Sequence, residues 1–266
     1  MLLAAAAYVS LGFVQFPPAV EVGAMSGVAV NPKSGVSYVL HRGPKPLLAF
    51  DKKGKFVRAW GEGLFKVAHG LRLDREGNVW TTDNGNHAIR KFSPDGKLLL
   101  SLEQGFRSPD DLVFARDGSV FVADSGNGRI VKMSADGKVV KTWGRKGKGE
   151  GEFALAHALA IDSNDRVYVA DRGNQRVQVF TPDGAFVAAW SGFGNPYGLM
   201  VLGGELLVSE GEKHQIIHLA LDSGKVTNTW GGPDVLQLPH LMSAGAKGRL
   251  YVAEVNGKRV QIFRQR

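Results

Sequence analysis

Three histidines, His69, His157 and His240, each stand at the head of a short apolar run: "AHGLRL", "AHALAI" and "PHLMSA". The chain has 7 histidines among 266 residues and no cysteine, so disulfides and thiolate metal sites are excluded, and a metal would have to be held by imidazole, carboxylate or carbonyl groups. Three imidazoles that met at one point would form a three-nitrogen site with a fourth position open, the set that catalytic zinc prefers and that iron also accepts. Whether they meet depends on what repeats around them.

The repeat is about forty residues long. Its clearest copies are "AHGLRLDREGNVWTTDNGNHAIRKFSPDGKLLLSLE", "PDDLVFARDGSVFVADSGNGRIVKMSADGKVVKTWG" and "AHALAIDSNDRVYVADRGNQRVQVFTPDGAFVAAW". One copy precedes them from Met25, and two looser copies follow from Pro196 and Pro239. Each holds four short alternating runs punctuated by Asp-Gly, Gly-Asn or Ser-Gly turns, with no stretch of helical period. The expected fold is all-β, a single six-bladed β-propeller of four-stranded antiparallel blades over 1–266. The last copy stops after three strands, so the segment 8–17, "YVSLGFVQFP", is expected to close the ring as the missing outer strand. The apolar start, residues 1–7, reads either as the remnant of an export signal or as chain outside the fold. It has neither a basic n-region nor a clean cleavage site, which leaves the compartment open.

In such a ring the first strand of each blade lines the central channel, and the residue ahead of it lies at the channel mouth. In register these residues are Ser26, His69, Asp110, His157, Tyr197 and His240. Histidine therefore occupies alternate blades, a third of a turn apart, and the three rings are expected to converge on the axis as a metal site. The second strands end in His41, Asp83, Asp124, Asp171, Glu210 and Glu254. The acid–arginine pairs Asp124/Arg129, Asp171/Arg176 and Glu254/Arg259 are expected to brace the following turns. One residue on, Arg42 and Arg172 stand where other blades have Asn84, Ser125, Gly211 or Val255, and two guanidiniums at a metal pocket suit capture of a carboxylate.

The motifs "LHRG", "AHGL", "AHAL", "ADRGN" and "LPH", set in NHL-like repeats, resemble peptidyl-α-hydroxyglycine α-amidating lyase over nearly all of residues 10 to 266. The resemblance implies zinc on His69, His157 and His240, and Arg42 and Arg172 in the active site. It implies cleavage of a carbinolamide to an amide and glyoxylate, with the metal acting as a Lewis acid on the substrate hydroxyl. The chain departs from that pattern twice. A catalytic tyrosine would follow the "VAD" of blade three, where Ser125 and Gly126 stand, leaving Tyr197 as the phenol on the ring. A calcium ligand would follow the third histidine, where Leu241 stands, so the carbonyls of Val28 and Leu71 lack an anionic partner and no calcium is expected.

Two other functions fit the same repeats: a zinc-dependent hydrolase or lactonase with Asp110 as proton acceptor, and a non-catalytic NHL-type binding propeller. The formal charge of +8 invites an anionic partner. Much of it, however, sits in turns such as "DKKGK", "SPDGK" and "SADGK", with no interleaved aromatics to stack bases, so no nucleic-acid partner is expected. The main basic cluster on the histidine face, "WGRKGKGEG" from Trp143 to Gly151, reads as mobile. No apolar run is long enough to span a membrane. The expected partner is a small molecule or peptide bearing a carboxylate, bound by a monomer.

Overall fold

The computed structural model describes residues 8–266. Residues 1–7, read above as a signal remnant or unfolded start, lie outside the described residues. Six four-stranded antiparallel sheets form the six blades, five of them running outward from the channel in chain order and the sixth completed by the N-terminal strand, and among the described residues no helix is long and apolar enough to cross a membrane. The inner strands are Met25–Val30, Ala68–Leu73, Pro109–Phe114, Ala156–Ile161, Pro196–Leu202 and Pro239–Gly245.

The residue types follow from position in the blade. The first three strands are sandwiched between neighbouring blades and are almost continuously buried, and they are rich in Val, Ala and Leu. The fourth faces solvent on one side and alternates, as Phe186–Ser191 does. The core is therefore a set of inter-blade layers. Blades four and five, for example, meet over Ala158, Tyr168, Val177, Leu199 and Val208, each at most 1% exposed. Leu241, at the position where a carboxylate was sought for calcium, is fully buried in that same layer. The Asp-Gly turns form as read: Gly96 lies at φ +90° with its N–H on the Ser93 carbonyl, and Gly137 and Gly184 repeat the turn in the next two blades.

Ring closure is as expected from the sequence. Tyr8–Phe13 pairs antiparallel with Arg259–Gln265 as the outer strand of blade six, and Tyr8 stacks on Trp230 at 4.4 Å between centroids. The strand is shorter than 8–17. After Phe13 the Val14 N–H still reaches the Val260 carbonyl, but Pro17 and Pro18 carry no amide hydrogen and turn the chain toward blade one.

The residue that ends each second strand is a clasp. Asp124, Asp171 and Glu254 pair with Arg129, Arg176 and Arg259 at 2.7, 2.8 and 3.0 Å. The same carboxylates, fully buried, also accept backbone N–H groups from the loop that leads into their own blade: Arg107 onto Asp124, Ala154 onto Asp171, Gln237 onto Glu254. Asp83 does this for Lys66 and Val67, and Glu210 for Asn195. In blade one His41 accepts from Gly23 and Gly43 through Nδ1, and burial brings its pKa down to about 4. The clasp thus fixes two segments, the turn after the second strand and the inter-blade loop before the first. Both deliver residues to the channel mouth.

Candidate metal centre

Each ring residue is the second residue of its inner strand rather than the one ahead of it. At this point every inner strand carries a bulge: the pairing register slips at Met25/Gly27, Ala68/Leu71, Pro109/Asp111, Ala156/Ala158, Pro196/Gly198 and Pro239/Met242. A bulge turns a side chain out of the pleat. Here it takes Ser26, His69, Asp110, His157, Tyr197 and His240 out of their sheets and toward the axis.

The three imidazoles meet. Ring centroids of His69, His157 and His240 lie 4.8, 5.0 and 5.0 Å apart with interplanar angles of 74–84°, close to threefold symmetry. Each ring is at most 4% exposed. Each Nδ1 contacts the carbonyl oxygen of the next blade's ring residue: His69 to Asp110 at 2.8 Å, His157 to Tyr197 at 2.6 Å, His240 to Ser26 at 2.5 Å. A carbonyl can only accept, so Nδ1 carries the hydrogen and Nε2 is left with its lone pair. Gly70 makes room for this, because a Cβ there would stand 2.7 Å from the Asp110 carbonyl. Burial, and next the neighbouring His69, hold His157 and His240 well below the usual histidine pKa, so both are neutral donors at pH 7.

This donor set fits a metal. One ring nitrogen from each histidine lies within 4.8 Å of the others, against roughly 3.3 Å between nitrogens that share one zinc at ~2.0–2.1 Å, a gap that small ring rotations close. Three imidazole nitrogens suit zinc or iron and do not suit calcium.

Above the histidines a pocket of about 460 Å³ opens on the clasped face, lined by His69, His157, Arg42, Arg172, Asn84, Asp110, Ser125 and Lys146 among others. Both predicted arginines are there. Arg42 donates through Nε to the Ala68 carbonyl at 3.3 Å. Arg172 lies 3.8 Å over the Tyr197 ring and donates to its hydroxyl. Tyr197 also packs against His157 at 5.5 Å, and Gly211 leaves the space its ring fills. Its hydroxyl therefore serves the arginine.

Asp110 is 2% exposed, its Oδ1 3.8 Å from His69 Nε2. Asn84 donates to Oδ1, and the Ser125 hydroxyl stands 2.7 Å from Oδ2 while also contacting the Ala156 carbonyl. One hydroxyl proton lies between two acceptors, so both contacts are hydrogen bonds only when Asp110 carries a proton. Burial pushes the Asp110 carboxyl up, against the pull of His69, Ser125 and Asn84. Asn84 Oδ1 has no partner among the described residues.

Asn84 was read from the sequence only as an ordinary residue at the arginine position, and Ser125 as that and as the residue in place of a catalytic tyrosine. The register itself was the signal, since four of the six residues after the second strands line this pocket. Lys146 was hidden in the glycine-rich segment, and that segment is not the loose loop expected. Arg145–Lys146 pairs with Glu152–Phe153, and Glu152 binds Arg145 at 2.7 Å and the amides of Lys148 and Gly149.

A second cavity of about 530 Å³ opens at the other mouth, lined mainly by apolar residues from Val28 to Met242. Arg72 lies on its wall and crosses the channel. It holds Asp111 of blade three in a bidentate pair at 3.0 and 2.6 Å and donates to the Leu159 carbonyl of blade four at 3.1 Å.

The NHL repeat matches residues 65–92, 106–133 and 153–180, which fall in blades two, three and four. The chain is a six-bladed propeller that carries NHL repeats in three of its blades. It is distantly similar to amidating enzymes: 40% identical over 74 residues to peptidyl-α-hydroxyglycine α-amidating lyase 1 and 35% over 80 residues to lyase 2, both of Drosophila melanogaster. It is also 28% identical over 181 residues to the peptidyl-glycine α-amidating monooxygenase of Mus musculus. These matches cover 25%, 28% and 52% of the NHL propeller and 14%, 20% and 18% of the relatives' lengths. Among solved structures, a streptogramin B lyase superposes with a TM-score of 0.72 over 97% of this chain and 98% of its own at 12% identity. A gluconolactonase from Xanthomonas campestris gives 0.73 over 98% and 90% at 18%. At such identities the likeness is one of fold.

Proposed function

We propose that this propeller is a zinc-dependent, lyase-like enzyme acting at the clasped mouth of its channel on a small molecule or peptide that bears a carboxylate. The observation that carries the reading is the alignment of three buried imidazoles, each with Nδ1 committed to a neighbouring carbonyl and Nε2 left for a metal, beneath two arginines. The sequence similarity to amidating lyases supports the substrate class.

His69, His157 and His240 would hold the metal, which when bound supplies a Lewis acid that lowers the pKa of a substrate oxygen. Arg42 and Arg172 bind the substrate carboxylate, Arg172 held flat by Tyr197. Asp110 in its ionised form takes the proton of the substrate hydroxyl, with the Ser125 hydroxyl then donating to it rather than to Ala156 and Asn84 fixing its other oxygen. Asn84 Oδ1 is available to an amide N–H. For a peptidyl-α-hydroxyglycine the balance is complete: the O–H proton leaves, its electrons form the carbonyl of glyoxylate, and the C–N bond breaks. The departing nitrogen takes a proton to become the primary amide.

The same Asp110, 3.8 Å from His69, could instead draw a proton from a water, and this favours a hydrolase or lactonase as the second reading. Elemental analysis of the purified protein and of His69→Ala, with an assay for glyoxylate release from an α-hydroxyglycine peptide, tests both readings. About one zinc per chain, lost in the variant, with glyoxylate release supports the lyase. Zinc without glyoxylate release points to hydrolysis. No metal after zinc is offered overturns both.

A further inference from the structure

The connection between blades three and four carries a strand pair of its own, Arg145–Lys146 with Glu152–Phe153. It runs over residues 144–155, twelve residues against eleven at 14–24 and four to seven at 61–67, 103–108, 192–195 and 232–238. The extra length is tied down at every turn. Arg145 pairs with Glu152, Asn174 donates to the Gly147 carbonyl at 2.9 Å, and Arg176 donates to the Gly149 and Glu152 carbonyls at 2.7 and 2.8 Å. Gln178 adds a bond to the Glu152 carbonyl. What this scaffold delivers to the pocket wall is Lys146.

Gly128 shows that the place is built for it. The corresponding turn residues in blades two, four, five and six are His87, Gln175, His214 and Lys258, all with side chains at φ +46° to +59°. Glycine is therefore not needed at Gly128 for its φ of +66°. It is needed for space, since a Cβ there would stand 2.6 Å from Lys146 Cγ and 2.9 Å from its backbone nitrogen. The lysine stem lies against the blade-three turn that also carries Ser125. Its ammonium has no hydrogen bond or ion pair among the described residues, whereas its neighbour Arg145 is paired.

The pocket thus presents three cations, Arg42, Arg172 and Lys146, and one carboxylate, the buried Asp110. A single substrate carboxylate accounts for the two arginines. We propose that Lys146 is a recognition residue for a second anionic group, so that the substrate of this site is a dianion: one carboxylate on Arg42 and Arg172, and a further carboxylate or phosphate-type group on Lys146. This rests on the clasped mouth being the substrate site, and it holds whether or not the metal there is zinc.

The test is calorimetric titration of succinate, 3-phosphonopropionate and butyrate into the protein at low salt, with zinc content measured in each sample. The expected result is a dianion bound about tenfold tighter than butyrate, the effect of one charge-assisted contact. Lys146→Met should abolish that preference without changing the butyrate affinity, and Lys146→Arg should restore it. Gly128→Ala, which keeps the charge and displaces the segment, should weaken the preference as well. Whether succinate or 3-phosphonopropionate binds more tightly separates a carboxylate from a phosphate at the second position. Equal binding of dianions and butyrate, or a preference that survives Lys146→Met, overturns the proposal. Zinc bound without a dianion preference refutes this inference alone, and a preference that depends on Lys146 in protein unable to hold zinc refutes the metal centre alone.

Discussion

Removing Asp111 should be strongly destabilising, and the structure gives the scale. Asp111 is fully buried and holds Arg72, whose side chain is 15% exposed, in a bidentate pair, and it also accepts the Leu159 N–H at 3.0 Å. Deleting one partner of a buried pair costs ~3–5 kcal/mol, because the other charge is left without compensation. The orphaned amide adds ~1–3 kcal/mol. Arg72 can relax toward water at the apolar mouth, so Asp111→Leu should lose about 4 kcal/mol, a fall of ~8–16 °C in Tm for a chain of this size. Asp111→Asn keeps an acceptor for the amide and should lose about 2 kcal/mol. The double variant Arg72→Met/Asp111→Leu has no stranded charge and should lie within ~2 kcal/mol of the parent, a coupling of 2 kcal/mol or more. Urea unfolding followed by tryptophan fluorescence of the parent, Asp111→Leu, Asp111→Asn, Arg72→Met and the double variant measures these differences. Since Arg72, Asp111 and Leu159 lie on the inner strands that carry His69, Asp110 and His157, Asp111→Leu should also weaken zinc binding about tenfold. Single variants within 1 kcal/mol of the parent, or a double variant as unstable as the sum of the singles, would refute the view that this bridge holds the channel together.

His41 makes the fold acid-sensitive. Its folded pKa of about 4 lies below the ordinary 6.5, so as pH falls from 6.5 to 4 the unfolded chain gains a proton that the folded one refuses. Up to ~3 kcal/mol of stability is lost over that window, and none above it. The difference in stability between parent and His41→Asn across that range measures the effect, and comparing slopes cancels the share that His157 and His240 add in metal-free protein. Deleting residues 1–13 exposes the edge of blade six and strips Tyr8 from Trp230. Size-exclusion chromatography should show association or aggregation, and Tyr8→Ala alone should cost ~1–2 kcal/mol in urea melts. Tyr197→Phe should raise KM for a carboxylate substrate severalfold with zinc content unchanged, because Arg172 loses its hydroxyl partner. A fall in kcat with KM unchanged would instead make the phenol part of the chemistry.

The sequence by itself determined everything that repeats. Four alternating runs per copy and turn residues at fixed places specify the blades, because strand pairing within a copy joins segments only a few residues apart, and the incomplete last copy calls for the N-terminal strand to close the ring. The ring of six first-strand residues and the acid–arginine clasp were legible for the same reason. Each recurs at one register position, and Asp124/Arg129 and Asp171/Arg176 are five residues apart across a single turn. Only the closed ring decided what does not repeat. The bulge that sends each ring side chain to the axis does repeat but leaves no mark in residue type, and the Nδ1 bonds that fix the three imidazoles span 40, 41 and 214 residues of chain. The Arg72–Asp111 bridge, the Asn84–Asp110 contact and the Ser125 contact with the Ala156 carbonyl are contacts between blades. They depend on how far the strands tilt and how closely neighbouring blades approach once the circle shuts, and no local pattern encodes those distances.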